Sequence, residues 1–276
     1  MILLEKQHYD HVWEPLKLVS VNTLFARFVV SRQVTGTIYV DRSDLPKTFY
    51  IIHPYGMSLL FGHANNSHFN LQLLDYLLNT AKTRSKPEWL QAYPGIWNQR
   101  LADLLGDQLV KFSDNPDGSL AGKVEENTRV NFRFNRDKYH DFRQSLRNEG
   151  YHIVRTNRKS FDRMQGSVVP KYFWDNADDF CRQGVGFTML MGDIPVSTAY
   201  SAYITENQLE LGIETVPEYR GKGYALHTCA ALIDYCMENN YEPVWSCRYE
   251  NTGSYRLAQE LGFEPTVTLP YYRLPV

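Results

Sequence analysis

None of the four cysteines stands in a CxxC pair. Cys181, Cys229, Cys236 and Cys247 all lie in the second half of the chain, and their spacing is not that of a zinc site or a redox motif. They read as reduced, mostly buried thiols of a cytoplasmic protein. His63 and His68 are too loosely placed to suggest a metal site, and none is expected. No apolar run approaches the roughly 18 residues that a membrane span needs. The segment Met1 to His8 lacks the basic start and the longer apolar run of a signal peptide. An excess of charge of one sign is also missing. The net charge is −2, whereas a dedicated nucleic-acid binder is usually basic. Neither an internal repeat nor a low-complexity tract is visible. Membrane, nucleic-acid and metal functions are thereby set aside.

What is present is ordinary globular material. Hydrophobic residues make up 43% of the 276 and charged residues 22%, enough for a sizeable core in two modest domains or one large one. The 19 tyrosines suit well-packed cores or an aromatic-lined cleft. The clearest break is Ser113-Asp114-Asn115-Pro116-Asp117-Gly118-Ser119, polar onward to Arg129, which predicts a long loop. Val130 to Phe134 alternates like a strand. Asp137 to Arg147 has helical character and is closed by Asn148-Glu149-Gly150. A boundary near Gly150 divides the chain into modules 1–150 and 151–276. In the first, Gly36–Val40, Thr48–Ile52 and Met57–Phe61 read as strands, and Phe69–Thr80 as a helix. In the second, Phe187–Leu190, Val196–Tyr203 and Leu209–Thr215 form an antiparallel meander. A helix from Gly223 to Glu238 follows, then a strand Val244–Cys247 and a helix Thr252–Leu261 with Gly262 at its end. Thr266–Leu269 and Tyr271-Tyr272 close the chain as strands. The fold class is α+β, a mixed α/β protein with an N-terminal α/β module.

Val216-Pro217-Glu218-Tyr219-Arg220-Gly221-Lys222-Gly223-Tyr224-Ala225 joins the third strand of that meander to a long helix. A strand stops, glycines let the backbone turn, and the free N–H groups of a new helix converge. Those groups and the helix dipole favour an anion. A P-loop needs GxxxxGK[ST], but Lys222 stands between glycines with no Ser or Thr in place. A dinucleotide fingerprint needs a third glycine where Leu226 stands, and the strand before it belongs to a meander. The pattern that Arg220, Gly223 and Ala225 do meet is [Q/R]xxGx[G/A].

With that pattern the sequence resembles the GNAT acyltransferase superfamily. Asn251-Thr252-Gly253-Ser254, running to Leu261-Gly262-Phe263, is similar to the superfamily's second cofactor motif, N-x-x-[A/S]…L-G-F. The match covers roughly Tyr151 to Val276. The whole-chain layout, with Trp245-Ser246-Cys247 before Asn251, also resembles the two-domain family that includes zwittermicin A resistance proteins. The resemblance implies a C-terminal GNAT fold, a mostly antiparallel central sheet flanked by helices, and acetyl-CoA as co-substrate. The pyrophosphate would rest on the backbone of Gly221, Lys222, Gly223, Tyr224 and Ala225, with Arg220 shaping the loop. Pantetheine would pair with main chain near Thr215 and Val216, and Asn251 and Ser254 would contact it.

Acetyl transfer to an amine needs a base, a donor for the thioester oxygen and, in some enzymes, an acid for the leaving thiolate. Glu210 and Glu214 fall on one face of the strand that would carry the coenzyme. Either is a solvated strand residue or the base, with Glu214 slightly preferred for ammonium binding or base work. The resemblance places an acidic tyrosine where Ala258 stands. Tyr255, one turn earlier, is the substitute, and Tyr224, Tyr271, Tyr272 and Ser254 are further candidates. A thiolate with a thiol pKa of about 8.5 can also leave unaided. Val216 N–H is the expected oxyanion donor. His227 reads as a surface or cap residue, and Cys247 as a buried strand thiol before a nucleophile. Asp175, Asp178 and Asp179 are either a helix face or a lure for a cationic amine.

The expected acceptor is a primary amine of a small molecule, an antibiotic or a metabolite. A protein or peptide amine is the alternative, as is a non-catalytic module that binds coenzyme A. The N-terminal module is left with two roles, a wall of the acceptor cleft or a homodimer contact, and its sequence does not choose.

Overall fold

The computed structural model describes residues 1–115, 118–147 and 150–276. It divides into two compact units. Unit 1 holds Met1–Val130, Arg248–Glu250 and Val267–Val276, and unit 2 holds Asn131–Cys247 and Asn251–Thr266.

In unit 1, strand β1 (Ile2–Leu3) is followed by helices α1 (Trp13–Lys17) and α2 (Leu24–Val30), then by strands β2 (Thr37–Val40), β3 (Thr48–Ile52) and β4 (Met57–Gly62). These four strands pair antiparallel in chain order. Helix α3 (Ser67–Leu77) crosses to β5 (Glu88–Tyr93), which runs parallel to β4. Helix α4 (Ile96–Leu105) and β6 (Leu109–Lys111) lead to β7 (Val124–Phe134), whose start pairs with β6 and whose residues from Asn131 on belong to unit 2. Thr48-Phe49-Tyr50-Ile51 is buried on both faces, as suits β-branched and aromatic residues in a covered sheet. Tyr50, Leu60, Phe69, Leu90, Trp97 and Tyr272 anchor this core. The last strand, β14 (Phe263–Leu274), starts in unit 2 and ends in unit 1, where Tyr272–Leu274 pair with β5.

In unit 2, helix α5 (Arg136–Ser145) precedes β8 (His152–Arg155), helices α6 (Arg158–Arg163) and α7 (Ala177–Gln183), and strands β9 (Gly186–Met191), β10 (Ile194–Ile204) and β11 (Gln208–Thr215). All four strands are antiparallel neighbours, so the expected meander is present with one strand more. Helix α8 (Tyr224–Glu238) then crosses to β12 (Glu242–Val244), which lies parallel to β11. The apolar stripe of α8 packs inward, with Cys229, Leu232, Ile233 and Cys236 fully buried. Strand β13 (Ser246–Arg248) and helix α9 (Thr252–Glu260) follow. The strand expected over 244–247 is thus two short strands broken at Trp245.

Three expectations change. The polar stretch to Arg129 is not all loop, because β7 begins at Val124 and buries Glu125, Asn127 and Arg129. Its polar groups have partners. Asn115 donates to Glu125 at 2.6 Å and Arg248 to Asn127 at 2.9 Å, while Thr128 N–H donates to Glu250 at 2.9 Å. Pro116 and Asp117, like Asn148 and Glu149 at the expected end of α5, lie outside the described residues. The division falls at Val130/Asn131 and not near Gly150. Helix α5 belongs to unit 2, where the Tyr139 hydroxyl donates to Asp234 at 2.6 Å with the Ala230 carbonyl of α8 beside it at 2.9 Å, and Arg143 donates to Asp234. Finally, the two units repeat one plan. From β1 and from β8 alike the order is strand, two helices, three strands, helix, parallel strand, with the same pairing order. The repeat is one of backbone, not of residues.

Candidate active site

The site grows from the two ends of α8 and β11. Gly221 and Gly223 hold φ of 74° and 77°, a region that favours glycine. A Cβ at either would meet nothing within 4 Å, so both face open space. Gly223 is the N-cap of α8 and no side chain caps this end. Of its first-turn N–H groups, that of Leu226 donates to the Gly223 carbonyl at 3.0 Å, which leaves those of Tyr224 and Ala225 for an anion.

Strand β11 provides an open edge beside this end. Its pairing with β12 stops at Glu210↔Val244. On the other side, Val216 N–H donates to the Val196 carbonyl at 3.0 Å. Antiparallel pairing alternates, so in the register Ser197↔Thr215 the even-numbered residues of β11 turn their backbone groups toward β10. Ile213 and Thr215 turn theirs to the edge that β12 has left. A cavity of about 560 Å³ lies there, lined by Ile213, Thr215, the loop Tyr219–Gly221, the start of α8, and Asn251, Ser254 and Leu257 of the α9 end. Its size suits a large ligand.

The same alternation bears on Val216. Its N–H is engaged by Val196, and its carbonyl accepts from Tyr219 N–H at 2.9 Å. Its N–H is thus spent within the sheet and is not the oxyanion donor. Lys222 stands over the Tyr219 ring, with Nζ 5.1 Å from the centroid. Tyr224 and Ala225 line the cavity. Asn251 Oδ1 accepts Ser254 N–H at 3.2 Å and so caps α9.

Glu210 and Glu214 share a face of β11, with Gly212 between them. The Tyr200 ring covers Gly212 so closely that a Cβ would come within 2.4 Å of it. Glu210 is buried and accepts from Ser246 Oγ at 3.1 Å. It sits at the last β11–β12 pair, where the strands part. Glu214 is held differently. Its Oε2 accepts Ser167 N–H at 2.9 Å and Val168 N–H at 3.0 Å, and its Oε1 accepts from Arg220 at 3.0 Å. Both oxygens of this carboxylate are thus committed as acceptors. Arg220 also donates through Nε to the Thr215 carbonyl at 2.9 Å.

The acid candidates disperse. The Tyr255 ring packs on Phe132, 5.5 Å between centroids, while the α9 residues that line the cavity are Gly253, Ser254, Arg256, Leu257 and Glu260. Tyr271 and Tyr272 belong to unit 1. There Tyr271 stacks on Trp89 and the Tyr272 hydroxyl donates to Asn98. Ala258 is fully buried. Ser254 is the hydroxyl of α9 at the cavity wall. His227 packs edge-on against Tyr151, and Cys247 is buried. Of the acidic cluster, Asp178 and Asp179 lie on α7, paired to Arg158 and Arg182, while Asp175 precedes the helix. Sequence reasoning missed Ser246, Ser167 and Val168. The first was seen only as part of a strand and of the Trp245-Ser246-Cys247 run, and the other two lie in an unpatterned loop.

Unit 1 repeats the plan with the same place closed. Strands β4 and β5 stay paired from Met57↔Trp89 to Phe61↔Tyr93. Asn66 caps α3 by accepting Phe69 N–H at 3.1 Å, and a Cβ on Gly62 would lie 2.1 Å from the Lys47 carbonyl oxygen.

The family model for GNAT acetyltransferases matches residues 17–272. The uncharacterized N-acetyltransferase YdfB of Bacillus subtilis (strain 168) is 28% identical over 247 residues, 88% of this chain and 87% of that protein. Among solved structures, a GCN5-related N-acetyltransferase-like protein from Streptococcus suis 89/1591 superposes with a TM-score of 0.70 at 19% identity, over 98% of this chain and 99% of that one. A tandem GNAT protein from the clavulanic acid biosynthesis pathway superposes at 0.57 with 10% identity, over 99% and 97%. These likenesses extend over both units, and with the family match spanning nearly the whole chain, the protein belongs to the GNAT acetyltransferase family.

Proposed function

We propose that the protein transfers an acetyl group from acetyl-CoA to a primary amine of a small molecule. The observation that supports this most is the open β11 edge running into the uncapped end of α8. Backbone N–H groups at Gly221 to Ala225 bind pyrophosphate, and Ile213 and Thr215 offer main-chain partners to pantetheine. When bound, acetyl-CoA supplies an acyl group already activated as a thioester. Glu210 takes the amine proton, through a water because the carboxylate is buried. Ser246 Oγ fixes its orientation. Ile213, the first residue past the last β12 pair to turn its N–H to the cavity, donates to the carbonyl oxygen as charge develops. Ser254 stands on the leaving-group side, and a thiolate leaves near neutral pH without a tyrosine at position 258. The narrower resemblance, to the family that includes zwittermicin A resistance proteins, makes an antibiotic or metabolite amine the first acceptor to try.

Calorimetry with acetyl-CoA, then thiol release over an amine library, tests this reading. Absence of binding at roughly tens of micromolar would overturn it. Glu210→Gln should bind acetyl-CoA as the wild type does and turn over roughly 10²–10⁴ times more slowly. Unchanged turnover would remove Glu210 from the mechanism.

A further inference from the structure

We infer that Glu214 is a positioning residue that links the coenzyme loop to the loop at Gly166–Val168, so that binding in the cradle orders the wall of the neighbouring cavity. The inference rests on the acetyl-CoA reading for its ligand, but its geometry stands alone. Glu214 is one carboxylate with two sets of partners. Through Oε2 it holds two successive amides of the 166–168 loop, at 2.9 and 3.0 Å, and Ser167 Oγ at 3.4 Å. Through Oε1 it holds Arg220, the first residue of the cradle pattern, which also grips the Thr215 carbonyl. The Glu214 side chain is only 10% exposed, whereas that of Arg220 is 59% exposed. The acid is thus the enclosed pivot, and the guanidinium is the part a ligand can reach.

The pivot is also tightly fitted. Gly166 holds φ of 140°, and a Cβ there would lie 2.5 Å from the Glu214 carboxyl carbon. Only a residue without a side chain lets this backbone lie against the carboxylate. On one side of the pivot is the 560 Å³ cavity, to which Ser167 and Val168 contribute. On the other is a second cavity of about 540 Å³, lined by Met164, Gln165 and Gly166, by Ile194–Thr198, and by Val216–Glu218. Glu214 and Arg220 line both. A phosphate drawn to the cradle acts on Arg220, and any restraint on Arg220 passes through Glu214 to the 166–168 amides. By linkage the effect is reciprocal: an ordered 166–168 loop tightens coenzyme binding by the same factor.

Hydrogen exchange of the 163–169 segment, on the full chain with and without coenzyme A, tests this. Wild-type amides at Ser167 and Val168 should exchange slowly, and more slowly still with coenzyme A. In Glu214→Gln they should exchange at least about tenfold faster without ligand, and the added protection by coenzyme A should disappear, the loss expected for a coupling of the usual size. Ser167→Ala keeps both backbone N–H groups and should behave as the wild type, which separates the amide anchor from a general loosening. The acid limb of the pH profile for kcat/KM should survive in Glu214→Gln. Loss of that limb with coenzyme-linked protection intact would make Glu214 the base and overturn the proposal. Wild-type protein that binds coenzyme A with no change at 163–169 would overturn it as well. Should coenzyme A not bind at all, the acetyl-CoA reading fails, while the exchange rates without ligand still show whether Glu214 holds the loop.

Discussion

Single residues set the cradle and the acid tolerance of this protein. Gly223 holds φ of 77° with open space where a Cβ would project, so Gly223→Ala meets no clash. Its cost is the left-handed backbone, about 1–2 kcal/mol for a residue with a Cβ, and a methyl placed where phosphate must approach. A small fall in Tm with at least about tenfold weaker acetyl-CoA binding by calorimetry is expected; unchanged affinity would move the anion elsewhere. His53 in unit 1 is fully buried, and its Nδ1 accepts Tyr55 N–H at 3.1 Å, which only the neutral ring can do. Burial, and then the charge of Lys86, push its pKa down to about 3. The unfolded chain takes up this proton near the ordinary value of about 6.5. The native state therefore loses stability as pH falls from about 6.5 toward 3, by up to about 1.4 kcal/mol per pH unit. Urea midpoints measured from about pH 7.5 to 4.5 should fall less steeply in His53→Gln than in the wild type. Equal slopes would assign the acid sensitivity to other groups.

At the scale of elements, legibility followed the range of the interactions. The β11–cradle–α8 passage could be read because glycines, strand alternation and the helix stripe all act within a few residues of each other. The base assignment could not, since Glu210 and Glu214 look alike in sequence. What separates them is Ser246 for one and Ser167, Val168 and Arg220 for the other. Strand β7 was hidden for the same reason: Glu125 and Asn127 look like loop residues until Arg248 and Asn115 supply their partners. The assignment of the oxyanion donor to Val216 N–H failed on parity, which depends on register against β10 and not on composition. Helix α9 gives a test that separates structure from binding. Asn251→Ala removes the cap on Ser254 N–H and should cost about 1 kcal/mol in urea unfolding. Asn251→Asp keeps an acceptor at the cap but adds a negative charge to the cavity wall, so stability should hold while acetyl-CoA affinity falls. If both variants bind the coenzyme normally, Asn251 serves the helix alone.

The whole chain uses one backbone plan twice, and the difference between the copies lies in three local events. Where β11 parts from β12 after Glu210↔Val244, β4 and β5 stay paired to Phe61↔Tyr93. Where α8 begins at an uncapped glycine, α3 begins at Asn66 with its side chain on Phe69 N–H. Where the glycines of the cradle face open space, Gly62 lies against the Lys47 carbonyl. Two of these events close what the coenzyme would need in unit 1, a strand edge and room for phosphate, while the third puts a side chain at the helix end, on an amide that in α8 is held by the Gly223 carbonyl. Neither copy resembles the other in sequence, which is why no repeat was visible: pairing order is carried by backbone hydrogen bonds that many side chains satisfy. The consequence is a stoichiometry. Two copies of one fold would suggest two coenzymes per chain, but the closed slot predicts one. Titration calorimetry with acetyl-CoA should give one site per chain, and Gly223→Ala alone should weaken it. A second site that survives this substitution would show that unit 1 opens. Substituting Asn66 by Ala would then be expected to strengthen that second site, because it frees the Phe69 N–H of α3.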